Sequence, residues 1–236
     1  MNKASLNRIF FYTIGLLILA MGLTLNTKAN LGVSPIISIP YCFSQIFHLN
    51  FGNATLVLYC IFVVIEILLH LLGGKRSSPQ RKNNERFVLI MDLLQIPLSI
   101  VFTRFMNIFS AMLPDLPAES DNTGLFLLQL AILAAAIVFT GIGASLSLSM
   151  RLVPNPGDGM VQTLADCTNQ SVGTTKNCFD LFNISITICI GLFLQGHLIG
   201  IGIGTLLAVI GVGRTIAFFQ HFTQDKINAL SGLSHY

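Results

Sequence analysis

The hydrophobic pattern divides the chain into six long apolar runs separated by short polar stretches. Most runs are close to the ~20 residues that an α-helix needs to cross the hydrocarbon core of a bilayer. The pattern therefore predicts an all-α polytopic membrane protein with six transmembrane helices, and a polar tail after the last one. The predicted spans are residues 9–26, 54–72, 87–113, 125–150, 178–194 and 198–222.

Two shorter segments, residues 30–50 and 151–176, combine apolar residues with proline and glycine. Proline is favoured at the first position of a helix, because its missing N–H would have no partner there. Pro35 and Pro156 each follow a residue suited to cap a helix. We therefore predict two short re-entrant or broken helices. Proline interrupts a helix, so we expect the first of them to be interrupted at Pro40 and the third span to be bent or weakened at Pro97.

The two halves of the chain match at an offset of 121 residues. Gly22 corresponds to Gly143, Pro35 to Pro156 and Gly52 to Gly173. Each half has the same order of elements, namely a long helix, a short segment started by proline, and two further long helices. The sequence therefore predicts an internal repeat. Its copies are residues 1–113 and 125–236, and residues 114–124 form an external linker.

The distribution of Lys and Arg predicts the orientation, because short loops rich in these residues stay in the cytoplasm. Residues 73–86 contain five basic residues, whereas residues 114–124 contain three acidic residues and no basic one. If neither short segment crosses and both termini are cytoplasmic, Lys28 is the one basic residue on the outer side. Three spans per copy then make the repeats inverted, so the first short segment enters from outside and the second from the cytoplasm.

This arrangement predicts a binding site near the bilayer midplane, where broken helices meet. Helix N-termini carry partial positive charge and favour an anion, whereas Asp158 favours a cation or a proton, so the charge of the ligand stays open. The predicted substrate-binding residues are Ser34, Pro35, Asn155, Pro156, Gly157, Asp158, Gly159 and Gln162.

Several charged residues fall inside predicted spans, where such groups are usually paired and often functional. The predicted gating or coupling residues are Glu66, His70, Asp92, Arg104 and Arg214. One interpretation is a structural ion pair of Arg214 with Glu66 or Asp92, and the other is a proton-coupled gate. Arg104 has no acidic partner at its depth and either extends to the surface or meets an anionic group of the substrate. Asp180 is predicted to belong to the cap region of its helix.

Composition narrows the functional classes. Only 10% of the residues are charged, against roughly 25% in soluble domains, and a net charge of +3 does not indicate a nucleic-acid partner. No catalytic motif, metal-ligand spacing or cofactor motif occurs, so we predict no enzyme, no metal and no cofactor. The expected partners are the lipid bilayer, a small solute or ion, and a second copy in a homodimer. We therefore predict a small transporter or channel; the alternative is a membrane scaffold or regulatory partner that transports nothing.

Three motifs carry a family resemblance. The segments ANLGVSP at residues 29–35, FG at residues 51–52 and GIGT at residues 202–205 resemble the bacterial YitT/YczE/YyaS family of integral membrane proteins. The resemblance implies a multi-pass protein of the bacterial cytoplasmic membrane. It implies nothing about the substrate.

Overall fold

The computed structural model describes residues 3–73, 85–117 and 123–232, in which all regular secondary structure is helical. The helices are α1 (Lys3–Lys28), α2 (Pro35–Phe47), α3 (Phe51–Gly73), α4 (Glu85–Met112), α5 (Thr123–Ser149), α6 (Pro156–Thr168), α7 (Val172–Gln195) and α8 (Ile203–Ser231). The predicted all-α class is confirmed. Six residues used to predict the orientation, Lys75, Arg76, Arg81, Lys82, Glu119 and Asp121, lie outside the described residues.

Six of the described helices, α1, α3, α4, α5, α7 and α8, are long and apolar enough to cross a bilayer. Their outer surfaces carry large exposed apolar side chains, such as Phe193 and Phe218. A polytopic helical protein places such side chains against lipid, because there is no hydrophobic gain in hiding them from hydrocarbon. The two remaining helices, α2 and α6, have 13 residues each, which is too short to span.

Some helix boundaries differ from the prediction. Helix α8 continues to Ser231 instead of giving way to a polar tail before it. The reason is that Ile227 is buried against Leu146 of α5 and against Met150 in the loop that follows α5. Helix α7 begins at Val172 within polar sequence, where the Ser171 side chain accepts a hydrogen bond from the Thr174 N–H and caps the helix. Helices α2 and α4 continue past their internal prolines rather than ending there.

Helices α1 and α5 form the most extensive helix pair, and they are antiparallel. Gly22 of α1 lies against Thr140, and Gly143 of α5 lies against Leu19, so a side chain at either glycine would collide with the facing backbone. Thr140 and Gly143 come 121 residues after Leu19 and Gly22. The contact is therefore unchanged when the two halves are exchanged, as in a two-fold symmetric pair.

The backbone around the short helices recurs at the same offset. Helix α1 ends at Lys28 and α5 at Ser149, and both short helices span 13 residues from their proline. His48 and Asn169 end them in the left-handed conformation. Each of these positions has its counterpart 121 residues later, so the short helices and their ends recur in the two halves, whereas Gly32 has a positive φ that its counterpart Val153 does not share.

The two ends of the helix bundle are distinguished by their contacts. At one, which we call the Arg8 end, the Arg8 side chain donates to the backbone carbonyls of Met150 and Arg151. At the other, the Lys28 end, the Lys28 ammonium lies 2.6 Å from a carboxylate oxygen of Asp115. Helices α1 and α8 run in opposite directions, because the Asn7 side chain near the start of α1 donates to the Leu230 carbonyl.

The short helices lie between the long ones, with α2 packed on α7 and α3, and α6 packed on α3 and α7. Asn155 and Thr163 of α6 contact Tyr59 and His70 of α3, so α6 runs parallel to α3 toward the Arg8 end. Helix α2 runs the other way, since its C-terminal residue His48 shares a cleft with Gln195 at the Lys28 end. The two short helices thus start inside the bundle and end at opposite faces.

Candidate functional site

The N-termini of α2 and α6 meet inside the bundle. The Ile36 side chain packs directly over Gly157, where a Cβ would collide with it. Pro35, Pro156 and Gly157 are buried, and Val33 and Met160 belong to the same apolar cluster. The sequence-predicted substrate residues of the two segments therefore come together, as inverted broken helices require. Gln162 does not join them, because it lies on the exposed side of α6.

Neither N-terminus is capped by a side chain, although serine and asparagine are good capping residues. The Ser34 N–H donates to Oδ1 of Asn26. The Asn155 Nδ2 group donates to the Tyr59 hydroxyl at 3.3 Å, and its Oδ1 is buried without a partner. The partial positive charge of each helix start is therefore left without a capping oxygen.

Asp158 lies on the side of α6 that faces α7. There the Lys176 ammonium pairs with the Asp180 carboxylate at 2.9 Å, and Asp180 is buried. The prediction that Asp180 belongs to a helix cap is wrong, since Ser171 caps α7 and Asp180 lies more than two turns further on. The charges of Lys176 and Asp180 act on the Asp158 carboxyl. The contact between α6 and α7 therefore contains two carboxyl groups, Asp158 and Asp180, and one ammonium, Lys176.

A second side of α6, about 100° around the helix from Asp158, meets a buried carboxyl–amide pair. The Gln95 Nε2 group donates to Glu66 Oε2 at 2.8 Å, and both residues are 1% exposed. A Cβ on Gly159 would lie 2.9 Å from Glu66 Oε2 and 3.1 Å from Gln95 Oε1, closer than real Cβ contacts allow. The glycine lets α6 rest directly on the pair.

A second polar pair lies one helical turn nearer the Arg8 end. The His70 Nδ1 atom is 2.6 Å from Asp92 Oδ2, and the Thr163 hydroxyl is 3.3 Å from His70 Nε2. Glu66 and His70 thus share one face of α3, as their spacing of four residues predicts. The structure brings Glu66, His70 and Asp92 together between α3, α4 and α6.

The two predicted arginines do not join this group. The ion pair of Arg214 with Glu66 or Asp92 is wrong, because Gln95 and His70 are the partners of those carboxylates and Arg214 is exposed on α8, which packs mainly on α5. Arg104 is exposed on the outer side of α4.

Sequence reasoning missed Gln95, Thr163 and Tyr59. A usable signal was present for Gln95, because Asp92, Gln95 and Ser99 recur at spacings of three and four in an apolar run and so lie on one helix face. For Tyr59 and Thr163 no local pattern distinguishes them from other residues of their helices.

A cleft of about 430 Å³ opens at the Lys28 end, between the end of α2 and the turn from α7 to α8. The polar side chains that line it include two histidines and no Asp, Glu, Lys or Arg; they are Asn30, Tyr41, Gln45, His48, Gln195 and His197. No local sequence pattern indicates this cleft, because its lining comes from residues 30–48 and 195–200, which are roughly 150 positions apart.

Comparison with known proteins gives the family but no activity. The chain belongs to the DUF6198 family, described as a family of unknown function, whose model matches residues 6–221. No curated protein and no solved structure matches the chain. The resemblance to the YitT/YczE/YyaS family stays a prediction.

Proposed function

We propose that this member of the DUF6198 family is a small membrane transporter or channel for a small solute or ion. Its binding site lies where the N-termini of α2 and α6 meet. One observation carries the proposal: two short helices start N-terminus to N-terminus inside a bundle of long apolar helices, at Ile36 and Gly157. Broken helices with this arrangement are how many transporters present a site at the midplane.

In the first turn of each short helix, the Ile37 and Asp158 N–H groups donate to the backbone carbonyls of Ser34 and Asn155. The Ile36 and Gly157 N–H groups have no such partner, and side-chain caps are absent at Ser34 and Asn155. Exposed backbone groups are tolerated at membrane depth only where protein, water or a solute surrounds them. A purely structural element would gain about 1 kcal/mol from each cap, so uncapped starts favour a role in binding.

The charges at the two ends support the orientation that the proposal needs. Most basic residues near helix ends lie at the Arg8 end of the bundle, namely Lys3, Arg8, Arg151, Lys176 and Lys226. We assign this end to the cytoplasm. Lys28, the exception, pairs with Asp115 at the other end. In this orientation the repeats are inverted, α2 enters from outside and α6 from the cytoplasm.

In the proposed cycle this conformation is a closed one. The Ile36 side chain fills the space over Gly157, so the two N-termini are sealed against each other. The cleft beside His48 and His197 is the entrance on the outer side. Transport then requires α2 and α6 to separate at the Ile36–Gly157 contact.

The test is a flux assay with the purified full chain in liposomes. The probes are radiolabelled Na⁺, K⁺, Cl⁻ and phosphate, and a trapped pH-sensitive dye for protons. We expect at least one probe to cross faster than in protein-free liposomes, and Gly157→Val to change that rate severalfold, because the added side chain prevents Ile36 from closing over position 157. Gly213→Val is the matched control, because a Cβ on Gly213 meets nothing within 4 Å.

A folded wild-type protein that passes none of the probes would contradict the proposal. If a stable protein partner also co-purifies with the chain from its membrane, the alternative of a scaffold or regulatory protein is favoured.

A further inference from the structure

The polar contact under α6 contains two oxygens that lack partners. Among the described residues, the buried side-chain atoms without a hydrogen bond are Glu66 Oε1, Gln95 Oε1, Asn155 Oδ1 and Thr175 Oγ1. The first two belong to the same hydrogen-bonded pair, in which Gln95 Nε2 already donates to Glu66 Oε2. Both are acceptors, so neither can satisfy the other while the carboxyl group is ionised.

A single added proton would give both unpartnered oxygens a hydrogen bond. A proton on Glu66 Oε1 turns that atom into a donor, and the other acceptor of the pair that lacks a partner is Gln95 Oε1. Together with the existing Nε2 bond, this closes a ring of two hydrogen bonds between a carboxylic acid and a primary amide. Each buried unpaired group costs about 1–3 kcal/mol, and an ionised carboxylate in this position costs more.

We infer that Glu66 is a proton-binding site, and that in this conformation it holds one proton in a cyclic pair with Gln95. The site is enclosed, since both residues are 1% exposed and Gly159 of α6 covers them. Glu66 lies seven residues before the end of α3, roughly 10 Å from it along the axis.

The surrounding groups leave the charge of Glu66 uncompensated. Its own helix contributes His70, which pairs with Asp92 of α4, a second carboxylate. From α6 the nearest contact is Gly159, while Asp158 faces α7. Within the part of the chain that the structure describes, no Lys, Arg or His side chain forms an ion pair with Glu66.

The role of this proton rests on the proposed transport function. Because Gly159 touches both members of the pair, any movement of α6 away from α3 opens the pair to water. Glu66 then releases its proton to a water molecule and becomes ionised, and return of α6 requires a proton to be bound again. The movement that opens the substrate site is thereby coupled to one proton.

Proton occupancy is tested without any substrate, by infrared spectroscopy of the purified full chain in liposomes at neutral pH. We expect the wild-type spectrum to contain a carbonyl band of a protonated carboxyl group that is lost in Glu66→Gln and shifted in Gln95→Leu. Asp180→Asn is the matched control, since that buried carboxylate pairs with Lys176 and its removal should leave the band in place. Thermal melting of each variant verifies folding.

Ionised Glu66 at neutral pH, seen as a carboxylate band that disappears in Glu66→Gln, would overturn the inference. A carboxylate band that shifts when Na⁺ is replaced by choline would overturn it in favour of a bound sodium ion.

The coupling role is tested by proton entry into the same liposomes under an imposed potassium diffusion potential. We expect Glu66→Gln to reduce proton entry to the protein-free level and Thr187→Val to leave it near wild type. A protonated Glu66 in a protein that moves no probe would contradict the transport function alone. If a probe crosses but the carbonyl band of protonated Glu66 is absent, the proton site is contradicted and the transport function is not.

Discussion

The two short helices have the same backbone but contact very different side chains. The α6 interface consists of Gly159 and Thr163 against Glu66, Gln95, His70 and Asp92. The α2 interface has one polar contact at the corresponding place, a 2.8 Å hydrogen bond between the hydroxyls of Ser38 and Thr187. The two contacts occupy equivalent positions: Ser38 of α2 corresponds to Gly159 of α6, and Thr187 of α7 corresponds to Glu66 of α3, each at the 121-residue offset.

This difference separates what the fold needs from what the proposed function needs. The position that corresponds to His70 is Gly191 of α7, which is uncharged. A short helix therefore packs in this fold with one neutral hydrogen bond. Buried charges are costly unless they are paired, and inside membranes they are usually functional. The charges of the α6 interface are thus best explained by chemistry rather than by packing.

The largest expected effect comes from breaking the His70–Asp92 pair. His70→Ala leaves the Asp92 carboxylate buried without its partner at 2.6 Å, which should lower the free energy of unfolding by about 3–5 kcal/mol. Unfolding in mixed micelles with increasing denaturing detergent measures the change. The double variant His70→Ala/Asp92→Asn should recover most of the loss, and Arg214→Ala, at an exposed site, should change nothing. No recovery in the double variant would show that the loss is not due to an unpaired charge.

A smaller effect is expected from adding one methyl group under α6. In Gly159→Ala the new Cβ comes within 2.9 Å of Glu66 Oε2 and 3.0 Å of Gln95 Nε2. Overpacking of this kind costs about 1–3 kcal/mol, and the same unfolding measurement detects it. Gly213→Ala is the control, because its Cβ position is open and alanine is the better helix former. Equal stability of Gly159→Ala and wild type would mean that α6 does not rest on the Glu66–Gln95 pair.

The smallest effect belongs to the α2 interface. Thr187→Val removes the hydroxyl that bonds to Ser38 and keeps the shape of the side chain, which should cost about 0.6 kcal/mol, the average for hydrogen bonds between membrane helices. Ser38→Ala should cost a similar amount, and the double variant little more than either alone. A loss as large as that of His70→Ala would remove the contrast between the two interfaces.

The fold was predictable where local chemistry decides it. Pro35 and Pro156 define the first residues of both short helices, and the hydrophobic pattern identified all six long ones. The end of α8 was missed because Ile227 is buried by residues of another helix. Periodicity shows which face of a helix is buried, but not which helix covers it.

The site was predictable only in part for the same reason. Glu66 and His70 were assigned to one helix face correctly, but their partners were not, because pairing between helices depends on contacts distant in sequence. One of the two interpretations paired Arg214 with Glu66 or Asp92, but Arg214 is exposed. Gln95, an uncharged residue in an apolar run, forms the hydrogen bond to Glu66 that the arginine was expected to make.

Helices α2 and α6 are proposed to enter from opposite faces of the membrane and to meet inside, and the accessibility of the residues at their C-terminal ends distinguishes this topology from entry on one side. His48 and Asn169 are both exposed and correspond at the 121-residue offset. Each is replaced by cysteine in a chain whose five native cysteines are removed, and intact cells are treated with a membrane-impermeant thiol reagent. We expect labelling of His48→Cys from outside, and of Asn169→Cys only after the membrane is permeabilised. Labelling of both positions from the same side would contradict it.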